Sequence, residues 1–129
     1  MSLIEWDDVD LKVGIESIDN QHKVIIGCIN ELSDCLQQNV PDEIAEKLFD
    51  RLIGYTHYHF ANEESYFNCL AKKDAQLHVL QHKHFIEQLT FYRKQLKGGL
   101  SVEVLDSLLD WFISHIQSED IKFSRSIKK

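Results

Sequence analysis

Residues Ile18 to Leu36 read IDNQHKVIIGCINELSDCL, and Ile18, His22, Ile25, Ile29, Leu32 and Leu36 recur along it at steps of three and four. That spacing is one face of an α-helix. The face is aliphatic except for its second position, an imidazole in phase with isoleucines and leucines. A helix built this way must bury a histidine.

The same pattern returns along the chain. Ile44, Leu48, Leu52, Tyr55, His59 and Glu63 form a second stripe, and His78, His82, Phe85, Leu89, Tyr92 and Leu96 a third. A fourth runs through Leu105, Leu108 or Leu109, Phe112, and His115 or Ile116. Between the stripes lie turn signals. The first helix is expected to end near Asn39, with Val40-Pro41-Asp42-Glu43 restarting the next. A turn is expected at Ala71 to Ala75, and Gly98-Gly99 should stop the third helix. Ser17 or Asp19 is a candidate cap for the first helix and Ser101 for the fourth. No strand period competes. The reading is all-α: an antiparallel up-down-up-down four-helix bundle over residues 18–129, preceded by an extended N-terminal arm over 1–17 anchored by Ile4 and Trp6.

Composition bounds the rest. The chain has 129 residues, 14 Lys and Arg against 21 Asp and Glu, a net charge of −7, and 43% hydrophobic residues, which suits one folded domain. An acidic chain without a basic run argues against nucleic-acid binding. No apolar run approaches the ~20 residues that span a bilayer, and the acidic start MSLIEWDDVD is unlike a secretory signal. Three cysteines at irregular spacing suit a reducing cytoplasm rather than a disulfide framework.

The histidines demand an explanation. His22, His59, His78, His82 and His115 all lie on apolar stripes, and Glu63 shares the stripe of His59. One buried histidine with a backbone partner is ordinary. Five imidazoles and a carboxylate from four helices would leave a small core full of unsatisfied polar groups. A metal site removes that cost, because each imidazole gives a lone pair to the ion and its other N–H to a neighbour. The His78–His82 pair has Val79 after the first histidine, not the glutamate of a zinc protease. With Asp120 included, five histidines and two carboxylates are too many ligands for one tetrahedral zinc and suit a two-metal centre. Nitrogen and oxygen ligation fits iron, and also manganese or zinc. Ferritin-like di-iron bundles differ, using four carboxylates and two histidines. His57 and His84 sit two residues from a candidate ligand and are expected in solvent.

At this point the chain resembles the hemerythrins, in particular the single-domain bacterial members. The resemblance lies in Trp6-Asp7, Val13-Gly14-Ile15, Ile18-Asp19-Asn20-Gln21-His22-Lys23, His59-Phe60-Ala61-Asn62-Glu63-Glu64, His78-Val79-Leu80-Gln81-His82-Lys83-His84-Phe85, and Trp111-Phe112-Ile113-Ser114-His115-Ile116 followed by Asp120. It implies two non-haem iron ions with an oxo or hydroxo bridge. His78, His82 and His115 would hold one iron, His22 and His59 the other, and Glu63 and Asp120 would bridge them. The two-histidine iron would keep an open position for O2, bound reversibly for storage, delivery or sensing, with NO or azide as further small ligands. The rival readings are an oxidoreductase acting on peroxide or nitric oxide, or a redox or O2-signalling module working through a partner. Ile25, Phe60, Trp111, Phe112 and Ile116, one turn from the ligands, are the expected lining of the O2 pocket. Phe112 stands where the family often has leucine, and Leu70 to Gln76 lacks its common Tyr-Pro. His115 and Asp120 are five residues apart, about 140° round a regular helix. Both reach one centre only through a wider turn, so a π-type irregularity is expected there.

Overall fold

The computed structural model describes residues 11–38, 41–67, 70–94 and 102–128. The expected anchors Ile4 and Trp6, the stop at Gly98-Gly99 and the cap at Ser101 lie outside these residues. Four helices make the bundle: α1 (Glu16–Gln37), α2 (Asp42–Glu64), α3 (Lys72–Lys94) and α4 (Val102–His115). A π turn (Ile116–Asp120) carries α4 without a break into α5 (Ile121–Lys128). Packing runs round the ring, α1 on α2, α2 on α3, α3 on α4 and α4 back on α1. This is the up-and-down arrangement that short connections favour.

The stripes face inward. Ile18, Ile25, Ile29 and Leu32 of α1, Phe49 and Leu52 of α2, Phe85 and Leu89 of α3, and Leu105, Leu108, Leu109 and Phe112 of α4 are all buried. Both alternatives on the fourth stripe are resolved as buried pairs: Leu108 with Leu109, and His115 with Ile116. The second stripe starts one residue late, since Ala45 is buried while Ile44 is exposed.

Two boundaries differ from expectation. Helix α1 begins at Glu16, and neither Ser17 nor Asp19 caps it; Ile15 holds the N-cap position without a side-chain bond. Asp19 instead reaches back, its two oxygens accepting the backbone N–H groups of Val13 (2.8 Å) and Gly14 (3.1 Å). Gly14 has φ +93°, a conformation that favours glycine, and this turns the incoming chain so that Leu11 and Val13 enter the core. The turn between α2 and α3 also comes earlier than Ala71 to Ala75. Helix α2 ends at Glu64, and Ala75 already donates to the carbonyl of Ala71 within α3.

The irregular turn near the C-terminus is present as expected. The N–H of Ile121 bonds the carbonyl of Ile116, five residues back rather than four. Ile116 and Asp120 are both buried as a result.

Candidate metal centre

All seven candidate ligands meet in the middle of the bundle. His22, His59 and Glu63 are wholly buried, and His78, His82, His115 and Asp120 nearly so. Every imidazole turns Nε2 inward. Glu63 Oε1 lies 2.9 Å from His78 Nε2 and 3.2 Å from His82 Nε2, while Oε2 lies 3.2 Å from His59 Nε2 and 3.8 Å from His22 Nε2. Asp120 mirrors it: Oδ1 is 3.0 Å from His78 Nε2 and 3.2 Å from His115 Nε2, and Oδ2 is 3.1 Å from His22 Nε2.

The ligand atoms fall into two overlapping groups. Glu63, His78, His82, His115 and Asp120 form one, and His22, His59, Glu63 and Asp120 the other, each with its atoms within 4.8 Å of one another. Glu63 and Asp120 belong to both. Three histidines serve one group and two the other, so the centre is asymmetric by construction.

Hydrogen bonding within the protein does not satisfy this cluster. His22 Nε2, His59 Nε2, His82 Nε2, both oxygens of Glu63 and Asp120 Oδ2 are buried without a hydrogen-bond partner. His78 Nε2 and His115 Nε2 face each other at 3.1 Å, and a neutral imidazole carries only one N–H. Orphaned polar atoms are expensive in a core. Cations placed among these convergent lone pairs satisfy them together, so the residues fit a two-ion centre.

Electrostatics point the same way. Burial alone would lower the His22 imidazole, but Asp120 and Glu63 outweigh it and push it up to about 9. His78 follows the same balance to about 9. For His59 burial wins, and its pKa falls. Burial opposes ionisation of Glu63, yet the imidazoles of His22, His59, His78 and His82 hold it well below the usual carboxylate range. Asp120 is depressed too: burial and Glu63 raise it, and His115 and His22 overcome them. The site is two carboxylates held ionised by imidazoles that themselves take up protons, and metal ions bound there would take the place of those protons.

The surroundings fix the rings. Phe60 stacks on His82 with centroids 3.7 Å apart and planes 1° from parallel, and lies tilted against His59 at 5.6 Å. Trp111 stacks on His115 at 5.0 Å and on Phe85 at 4.7 Å. Phe112 meets His22 edge-on at 5.5 Å. Ile25 and Ile116 are fully buried in the same core. His57 and His84 are exposed, as their phase requires.

Several functional neighbours escape a reading of the sequence. Gln21 Oε1 lies 2.7 Å from His59 Nδ1 and also accepts from Asn62 Nδ2 at 3.2 Å. Glu64 Oε2 lies 2.9 Å from His82 Nδ1. Phe67 and Phe123 close over His78 at 4.7 and 5.9 Å. Gln21 and Glu64 directly precede or follow a ligand in the chain, but the histidines they hold belong to other helices, which no local spacing reveals.

The comparisons with known proteins agree with this centre. The hemerythrin HHE cation binding domain matches residues 13–125. A bacteriohemerythrin of Pseudomonas aeruginosa is 34% identical over 130 residues, covering 99% of this chain and 84% of that protein. A myohemerythrin of Theromyzon tessulatum is 26% identical over 119 residues, covering 92% of this chain and 89% of that protein. A crystal structure of wild-type hemerythrin superposes with a TM-score of 0.87 at 22% identity, over 99% of this chain and 100% of that one, and so shares the fold. The chain therefore belongs to the hemerythrin family, the non-haem di-iron oxygen-binding proteins.

Proposed function

We propose that this protein binds O2 reversibly, for storage, delivery or sensing, rather than turning it over as an enzyme. His78, His82 and His115 would hold one iron, His22 and His59 the other, and Glu63 and Asp120 would bridge them. The observation that carries this reading is the division of the ligand atoms into a five-residue and a four-residue group sharing both carboxylates. The group with fewer ligands would leave its iron an open position for an external molecule.

Two ferrous ions held there would supply the pair of electrons that reversible O2 binding requires. The chain's own residues supply the rest. Glu63 and Asp120 would offset part of the ionic charge, and the stacked rings of Phe60 and Trp111 hold His82 and His115 in position. Phe112, beside His22, and the buried Ile25 and Ile116 exclude water. An apolar wall limits the proton and water access that would convert bound O2 irreversibly. NO and azide, small enough for the same position, are expected to compete for it. The free thiols of Cys28 and Cys35 support action in a reducing compartment, the cytoplasm.

The test is metal analysis followed by spectra of the reduced protein under argon, under O2, and under argon again. Two irons per chain and a visible band that appears with O2 and disappears on its removal are expected. A band that persists after deoxygenation, or steady O2 consumption with a reductant, would favour the oxidoreductase reading instead.

A further inference from the structure

The two halves of the centre differ in more than the number of histidines. Where one imidazole on each side is gripped at its outer nitrogen, the acceptors differ in charge. His59 Nδ1 meets a neutral amide oxygen, Gln21 Oε1, at 2.7 Å. His82 Nδ1 meets a carboxylate, Glu64 Oε2, at 2.9 Å. Neither acceptor is itself among the clustered ligands.

Glu63 and Glu64 are neighbours on α2 with opposite fates. Glu63 is wholly buried and aims into the centre, whereas the Glu64 side chain is 33% exposed. It lines a groove of about 450 Å³ between α2 and α3, together with Phe60, Val79, Lys83 and Ile86. His82 is thus fixed on three sides: Nε2 toward Glu63, Nδ1 on Glu64, and one face against Phe60. A carboxylate without a proton only accepts, so it fixes the proton on Nδ1 and leaves the Nε2 lone pair free for a metal. It also draws that proton outward, which makes Nε2 the more electron-rich donor.

From this contact we propose that Glu64 is a positioning residue for the iron held by His82, stabilising its ferric form and so lowering the reduction potential of that half of the centre. The neutral Gln21 exerts the weaker version of the same pull through His59. The ligands therefore set where the irons sit, and the residues behind them set which iron holds its electron less tightly. The inference rests on the ligand assignment of the preceding subsection.

Glu64→Gln keeps the shape and an acceptor oxygen but removes the charge. Each iron takes one electron from added dithionite, passing from ferric to ferrous, and a mediated titration reads the potential. In Glu64→Gln carrying two irons, the ferric-to-ferrous affinity ratio at this iron should fall about tenfold, a rise of ~59 mV for one electron. Gln21→Glu should move the other iron's potential downward. An unchanged or lowered potential in Glu64→Gln with two irons bound overturns the proposal and leaves the di-iron reading intact. Two irons retained by His82→Ala would instead overturn the ligand assignment, and the proposal with it.

A metal-free readout is independent of loading. In the chelated protein, long-range ¹H–¹⁵N spectra should show His82 protonated at Nδ1 in the parent and in Glu64→Gln, with the resonance lost to exchange in Glu64→Ala. Protonation at Nε2 alone in the parent would refute the contact on which the proposal stands.

Discussion

The π turn at Ile116–Asp120 is what lets His115 and Asp120 serve one centre, and changing its length by one residue tests that directly. On a regular helix five residues turn about 500°, leaving the carboxylate about 140° away from His115. Four residues turn about 400°, only about 40° away. Two other pairs here use the four-residue spacing and reach the same centre: His59 with Glu63, and His78 with His82, which both contact Glu63. Deleting the exposed Ser118 should therefore let the segment close as ordinary α-helix with the carboxylate still facing inward. Inserting one alanine after Ser118 should do the opposite. At a side-chain radius of about 5 Å, a further 100° displaces the carboxylate by about 7–8 Å, against its present contacts of 3.0 to 3.2 Å. The assay is iron per chain after anaerobic loading, with far-UV circular dichroism to confirm the helices. The deletion should retain close to two irons, and the insertion should fall well below. Two irons in the insertion variant, or equal loss in both, would refute the reasoning.

Other outcomes follow from the same geometry. In chelated protein, His22 and His78 are raised to about 9, so their stabilisation is complete below their ordinary pKa near ~6.5 and lost as pH rises through about 9. Glu63 and Asp120 are depressed, so theirs is present above the ordinary carboxylate range and lost in acid. His59, lowered by burial, works against stability below its ordinary pKa of ~6.5. Urea midpoints should thus peak at ~pH 6.5 and be lower at pH 9; a higher midpoint at pH 9 than at pH 6 contradicts this sign. Iron uptake at pH 7 should release protons, since the imidazoles must be neutral to ligate, and an indicator dye in weak buffer measures them. Phe112→Ala removes a fully buried ring packed on His22 and Phe85 and should cost about 3–5 kcal/mol in denaturant unfolding; a loss under ~1 kcal/mol would mean the core closes over the gap. Asp19→Ala strands the N–H groups of Val13 and Gly14 and should cost about 2–3 kcal/mol, read by the same unfolding curves.

How far the sequence reaches is clearest at particular residues. His22, Ile25 and Ile29 declare a buried helical face because 3.6-residue periodicity is local and survives without any tertiary contact. The five-residue step from His115 to Asp120 calls for a wide turn once both are placed at one centre, as the family resemblance implies, and Ile121 N–H bonding Ile116 O is its realisation. Helix ends are less legible. Asp19 has the chemistry of a cap, yet its carboxylate satisfies Val13 and Gly14 instead, a choice made by where the incoming chain packs. Ser17 already lies inside the helix, which starts at Glu16.

The sequence by itself determined four helices, the face each buries, and six polar side chains those faces carry inward, because each follows from spacing along one helix; Asp120, off that spacing, is singled out only by the family resemblance. Only the tertiary structure decided the relations between helices. It set Glu63 and Asp120 between the two sets of histidines, placed Gln21 behind His59 and Glu64 behind His82, and closed Phe67 and Phe123 over His78. The reason is physical: periodicity fixes which way a side chain points from its own axis, whereas contacts of 3 Å between helices depend on how neighbouring axes are offset and rotated, which the packing of the whole core sets.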